Sequence, residues 1–326
     1  MERDIPGSPP PNAHESIAGS LIAYSVACFL VVVAVVSLRL YIRLRVIRKF
    51  GSDDIALGVT TFSTVVNIIG ITSATRFGLG AHIDILSEEE RSRFLILVFV
   101  SSIGYHVCIM LLKYTFLLQY RRVFPLPKFQ RLCDIFLAFL SVWAVAGLVG
   151  AVTVCLPISK NWDLREPIWA CTQRFWFWLG YGIVHVITDV LILIMPLPLL
   201  KTLSLPPLHK VVLMGVFCLG FLTCIISGIR LTTLSASFRD PDITWTSART
   251  VFWTLGEVAC SIVCLCIPTL RPLLGTCCSP RLGEGGFMER GIRRLGCYGI
   301  SLPSTAGCPS PAQTRTEAPI PINHLA

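Results

Sequence analysis

Long apolar runs alternate with short polar connectors along this chain. Runs of 22 to 26 mostly apolar residues cover 17–38, 54–75, 94–118, 132–155, 175–200, 211–234 and 250–274. A helix needs roughly 20 such residues to cross about 30 Å of hydrocarbon. Water is absent there, so backbone N–H and C=O groups must pair within the segment, and runs of this length predict helices. Soluble core helices are the competing reading, and seven consecutive runs of this length weigh against it. The pattern predicts an all-α, polytopic membrane protein with seven transmembrane helices. It divides the chain into an extracellular segment 1–16, a membrane domain 17–274 and a cytosolic tail 275–326. The tail is rich in Gly, Pro, Ser and Arg without amphipathic period, and disorder is expected there.

Composition fits this division. Only 14% of the residues are charged and 53% are hydrophobic, whereas soluble domains carry about 25% charge. The first run is too long for a signal peptide, and only Arg3 stands against Glu2, Asp4 and Glu15 before it, so it reads as a retained span.

Charge gives the expected orientation. The N-terminus with the second, fourth and sixth loops carries nine Lys/Arg and eleven acids. The other side, tail included, carries sixteen Lys/Arg and four acids. Cytoplasmic loops are the basic ones, which predicts an outside N-terminus, a cytosolic C-terminus and a plasma-membrane location. The net charge of +9 is then a topology signal and calls for no nucleic-acid partner. All tryptophans except Trp143 fall in or beside the outer loops, as expected of interfacial indoles. The stretch RLYIRLRVIRK (39–49) suits an interfacial helix on anionic lipid, or a surface for a cytosolic signalling partner.

Charges at bilayer depth cost about 2.5–3.5 kcal/mol on insertion scales and are functional candidates by default. Lys113, Asp189, Arg230 and Glu257 are the clear cases, joined by His106 and His185. Depth along their spans allows the pairs Lys113–Asp189 and Arg230–Glu257. Tyr181, His185 and Asp189 recur every fourth residue and share one face of the fifth span, which should look inward. Two readings stay open: staples that hold the bundle in register, or a polar ligand pocket or ion path. One histidine per helix does not make a paired haem site, so neither metal nor cofactor is expected.

Most of the 14 cysteines lie inside spans and act as small apolar groups. Cys155 and Cys171 frame the fourth loop on the expected oxidising side and are candidates for a disulfide. Cys277 and Cys278, just past the last span, are positioned for palmitoylation. FGSDD (50–54) reads as a helix cap, with Ser52 or Asp53 on the orphan amides, and SEEER (87–91) as another. A retinal Schiff base needs a buried lysine; residues 250–274 contain none, and Lys113 sits in the third span. No HExxH, GxSxG or paired metal spacing occurs, so an enzyme is not expected.

Taken in order, RLYIRLRVIRKFGSDD, GLGAH, LLKYTFLLQYRRVF, CLPISKNWD, ITDVLILIMPLPLLKTL, FCLGFLTCIISGIRL and GEVACSIVCLCIPTLRPLL resemble the fungal rhodopsin-like domain family over about residues 20–275. That family includes pathogenicity-related receptor-like proteins and a satratoxin biosynthesis cluster membrane protein. The resemblance implies a seven-helix bundle, sometimes proposed to be receptor-like. It carries over to Asp53, Asp54, Gly80, His82, Lys113, Cys155, Trp162, Cys171, Asp189, Pro196, Arg230, Glu257, Pro268 and Pro272. The chain departs from the pattern where His185 replaces an asparagine and Tyr114-Thr115 replaces Leu-Ser. The expected function is a receptor-like protein for an extracellular small molecule, without covalent retinal, whose cavity opens outward between spans three, five, six and seven. A small-solute or proton-linked transporter and a structural membrane protein are the alternatives.

Overall fold

A computed structural model describes residues 16–155, 162, 172–202 and 207–270. The tail with Cys277 and Cys278, as well as Cys171 and Pro272, lie outside the described residues. No strand occurs among those described. Seven helices are long and apolar enough to cross a membrane: Ala18–Ile47, Ser52–Phe77, Glu88–Val123, Pro127–Thr153, Phe175–Leu199, Met214–Ser237 and Ile243–Thr269. They are called the first to seventh spans below. The end of the bundle at which the first span begins is the amino end, and the opposite one the carboxyl end.

Several limits differ from the sequence reading for identifiable reasons. The third helix starts at Glu88 because Ser87 caps it: its hydroxyl accepts from the Glu90 amide while the Glu90 carboxylate accepts from the Ser87 amide. This reciprocal box satisfies two orphan donors. The seventh helix begins at Ile243, ahead of the expected 250, because Asp242 caps it through the Trp245 amide. The fifth helix ends at Ile194, and a turn at Pro196 precedes a short helix Leu197–Thr202. A proline cannot donate the backbone bond that would continue the helix.

Two expectations at the carboxyl end are corrected. Residues 42–47 form no separate interfacial helix; they continue the first span with π-helical winding. Arg39 and Arg43 point into the protein, where Arg39 is fully buried. The cap of the second helix comes from neither Ser52 nor Asp53. Gly51 is the N-cap, and Asp54 reaches back to its amide at 3.1 Å.

The third span is central, packing against the second, fourth, fifth and seventh, while the first span packs on the second and seventh. Large apolar side chains such as Phe62 and Val142, 71% and 72% exposed, point away from the bundle, as side chains that face lipid do. Lipid is as apolar as leucine, so the interior holds by close packing and interhelical hydrogen bonds. Leu57, Ile109, Leu112, Ile262 and Leu265 form the middle of that packing. Thr60 bonds Thr115 at 3.2 Å, and Tyr114 bonds Ser141, so two of the three residues that depart from the family pattern tie the third span to the second and fourth. Of the free cysteines within the spans, Cys28, Cys108, Cys133, Cys264 and Cys266 are buried, Cys224 and Cys260 are half-buried and Cys218 is exposed. Cys155 is buried and is not among the free thiols.

Candidate functional site

Halfway through the bundle, the third, fifth, sixth and seventh spans each contribute ionisable side chains to one cluster. Lys113 Nζ lies 2.8 Å from Asp189 Oδ1. It also donates to the His185 carbonyl at 2.9 Å and to the Thr188 hydroxyl. Arg230 Nε lies 3.0 Å from Glu257 Oε2. The structure thus brings together both pairs that depth along the spans suggested.

His185 joins the two pairs. Its Nε2 is 2.7 Å from Glu257 Oε1 and 3.4 Å from Asp189 Oδ2. An imidazole nitrogen facing two carboxylates carries a proton. The ring's Nδ1 is buried without a partner among the described residues. Two residues the sequence reading passed over complete the cluster. Tyr105 donates to Glu257 Oε2 at 2.8 Å, and Ser227 donates to Glu257 Oε1 at 2.6 Å with its oxygen 3.3 Å from Asp189 Oδ2. Nothing in their local sequence marks them, since a tyrosine and a serine at bilayer depth are ordinary.

With His185 neutral, two cations meet two carboxylates and the cluster carries no net charge. This compensation lets such groups persist away from water. His185, Asp189 and Glu257 can present ligand atoms within 4.8 Å of one another, a set that suits a cation by type. Lys113 and Arg230 already occupy those carboxylates, so a metal would have to displace both.

Above the cluster, toward the amino end, lies a cavity of about 180 Å³. Its wall is largely apolar, with Ile71, Val98, Phe99, Leu234 and Val251, and its inner part includes Tyr105, His106, Tyr181 and Arg230. The second span contributes as well, through Asn67 and Ile71, which the sequence reading had not included. His106 contacts the Ala144 carbonyl at 3.0 Å and packs on the Tyr181 ring, which stacks in turn on Trp143. Gly147 makes this close approach feasible, since a Cβ there would lie 2.4 Å from His106 Cε1 and 2.8 Å from Tyr181 Cε2. A smaller cavity of about 50 Å³ lies on the other side of the charges, lined by Lys113, His185, Asp189 and Glu257.

Each end of the bundle carries its own polar fastening. At the amino end His82 Nδ1 contacts Asp242 Oδ2, and the His82 ring stacks on Trp245 with centroids 4.5 Å apart. Asp242 Oδ1 also accepts from the Ile83 amide and the Thr244 hydroxyl. Partial burial alone would raise the Asp242 pKa, but the hydrogen bonds, His82 first, outweigh it and hold the carboxyl below its usual range. Gly80, at φ +88°, accepts from the Ile17 amide and donates to the Thr244 carbonyl, linking the first and seventh spans. At the carboxyl end Arg39 reaches Asp53 at 2.8 Å, Asp54 at 3.2 Å, Gln119 at 2.9 Å and the Leu265 carbonyl. Arg43 and Arg122 flank the same two aspartates. Of the family positions, Gly80, His82, Asp53 and Asp54 therefore sit in the fastenings, and Lys113, Asp189, Arg230 and Glu257 in the central cluster.

Comparison with known proteins is consistent with this arrangement. The family model of the fungal rhodopsin domain matches residues 38–276. "Fugralins biosynthesis cluster protein 2" of Gibberella zeae is 24% identical, covering 94% of this chain and 77% of that one. "Polyenoic acids biosynthesis gene cluster protein Ba17b" of Metarhizium anisopliae is 26% identical over 87% of this chain and 81% of its own length. "Receptor GIN3" of Arthrobotrys oligospora is 27% identical over 53% of this chain and 42% of its own length. No solved structure matches. The chain belongs to the fungal rhodopsin domain family of multi-pass membrane proteins.

Proposed function

We propose that this protein is a receptor-like sensor of a small molecule that enters the larger cavity from the amino end. One observation carries this reading: Tyr105 and Arg230 line the cavity and also hold Glu257 at the heart of the charge cluster. A ligand touching either residue changes the environment of a carboxylate shared by the third, fifth, sixth and seventh spans. Charge asymmetry supports an amino end facing outside the cell at the plasma membrane, with the basic loops in the cytosol. The name of the receptor relative supports a sensing role. Lys113 is engaged by Asp189, Thr188 and the His185 carbonyl and does not line the larger cavity, which supports a site without covalently attached retinal.

The test is a thermal-shift screen of the purified full chain in nanodiscs, with charged and uncharged small molecules. Compounds that stabilise wild type should lose their effect in a cavity-filling Ser102→Phe variant, since Ser102 lines the wall. Stabilisers that act equally on that variant would remove the cavity from the account.

The smaller cavity beyond the charges favours a second reading, proton-linked transport, in which Glu257, His185, Asp189 and Lys113 form a relay between two spaces. That reading requires solute or proton flux in proteoliposomes that collapses in Asp189→Asn.

A further inference from the structure

Among the described residues that line the larger cavity, Arg230 is the only arginine or lysine. It is 6% exposed and lines the cavity wall. Glu257 meets it only along Nε, at a distance of 3.0 Å but outside hydrogen-bond geometry. Its guanidinium donates no hydrogen bond to any described residue. The Tyr105 ring covers one face, 4.4 Å from the guanidinium carbon, which leaves the in-plane donors open. A guanidinium has five N–H donors in a planar fork and never gives up its proton. Nε is buried beside Glu257, while the terminal nitrogens donate to no described residue and so can take an acceptor that enters the cavity.

The rest of the wall says what such an acceptor is attached to. It is mostly hydrocarbon and aromatic, with serine and threonine hydroxyls between, and its described residues include no second arginine or lysine. A highly charged ligand such as a polyphosphate would find one fork and many apolar neighbours. A single planar anion on an apolar body fits both halves, because a carboxylate matches the fork with two parallel hydrogen bonds.

We propose that the larger cavity binds a small amphipathic carboxylic acid, its carboxylate on the Arg230 fork and its apolar body among Val98, Phe99, Leu234 and Val251. The proposal rests on the cavity reading above and adds the class of ligand.

The experiment measures binding of octanoate and phenylacetate, each beside its methyl ester, to the full chain in nanodiscs of zwitterionic lipid, so that no anionic headgroup competes. Expected is a preference of about ten-fold or more for each acid over its ester, in line with a hydrogen bond to a charged group. Arg230→Lys keeps a charge beside Glu257 but lacks the fork, and should lose most of the preference. The double variant Arg230→Gln with Glu257→Gln removes both charges together, leaving no buried ion unpaired, and should bind acid and ester alike. Esters that bind wild type as tightly as the acids, with both blocked by Ser102→Phe, would overturn the carboxylate and leave the cavity standing. Absence of binding by both acids would overturn it too, and the screen with uncharged compounds would then decide the cavity by itself. An acid preference that survives in the double variant would place the anion elsewhere and equally overturn the assignment.

Discussion

Glu257 Oε1 lies 2.7 Å from His185 Nε2, while its second oxygen faces Arg230 at 3.0 Å and accepts from Tyr105. One carboxylate on the seventh span thus answers to groups from the third, fifth and sixth. Glu257 is 1% exposed, so each of these partners meets a charge with almost no help from water.

Glu257→Gln should therefore be among the most damaging single changes in the bundle. It leaves Arg230 without its counter-charge, and unpairing a buried ion costs roughly 3–5 kcal/mol. Thermal unfolding in detergent should show a large drop in Tm. Glu257→Gln with Arg230→Gln should recover much of it, which distinguishes an unpaired charge from lost packing.

The Lys113–Asp189 pair should behave likewise with a smaller loss on the aspartate side. Lys113 is 2% exposed, but the Asp189 side chain keeps 18% of its surface, and Lys113 retains Thr188 and the His185 carbonyl when Asp189 is gone. Lys113→Met alone should cost on the order of 3 kcal/mol, and Lys113→Met with Asp189→Leu less than either single change. Folded yield and Tm across this four-member cycle are the readout.

Arg39 should not tolerate lysine. It binds Asp53, Asp54, Gln119 and the Leu265 carbonyl at once, and a lysine ammonium cannot reproduce that planar fork. Arg39→Lys should lower stability by about 2 kcal/mol or more and raise hydrogen exchange where the first and second spans meet.

The fastening at Asp242 should respond to acid. A carboxyl whose folded pKa is depressed adds stability above its unfolded pKa of about 3.9, and that stability is lost as pH falls through the folded value. The Asp242 pKa is lowered, His82 being the leading lowering cause. Wild type should thus exceed Asp242→Asn in Tm at neutral pH, with the gap closing below about pH 4. A gap that stays constant down to pH 3 would show that the carboxylate's charge contributes nothing there.

Much of this was legible in the residues because the bilayer enforces simple rules. Seven apolar runs could only be helices, and four buried charges could only pair with one another, so depth along the spans sufficed to match Lys113 with Asp189 and Arg230 with Glu257. Arg39 was misplaced because an arginine near a span end ordinarily reaches lipid headgroups, and nothing local shows that Asp53 and Asp54 wait across a turn. Tyr105, Ser227 and the second span's share of the cavity were missed for a related reason. They depend on how helices rotate about their axes, which side-chain packing decides and the hydropathy pattern does not record. His82 and Gly80 were visible only through resemblance, and their partners Asp242 and Thr244 lie far away in sequence.

The central claim is that the cavity and the charge cluster act as one unit, and Asp189 tests it because it belongs to the cluster without lining the larger cavity. The measurement is the dissociation constant of a wild-type stabiliser for Asp189→Asn in nanodiscs, with Ser102→Phe marking loss of the site. The account predicts an affinity change of about five-fold or more, the size of an ordinary coupling between sites. An unchanged constant in a folded Asp189→Asn protein would contradict it, leaving the charges as staples beneath an independent pocket.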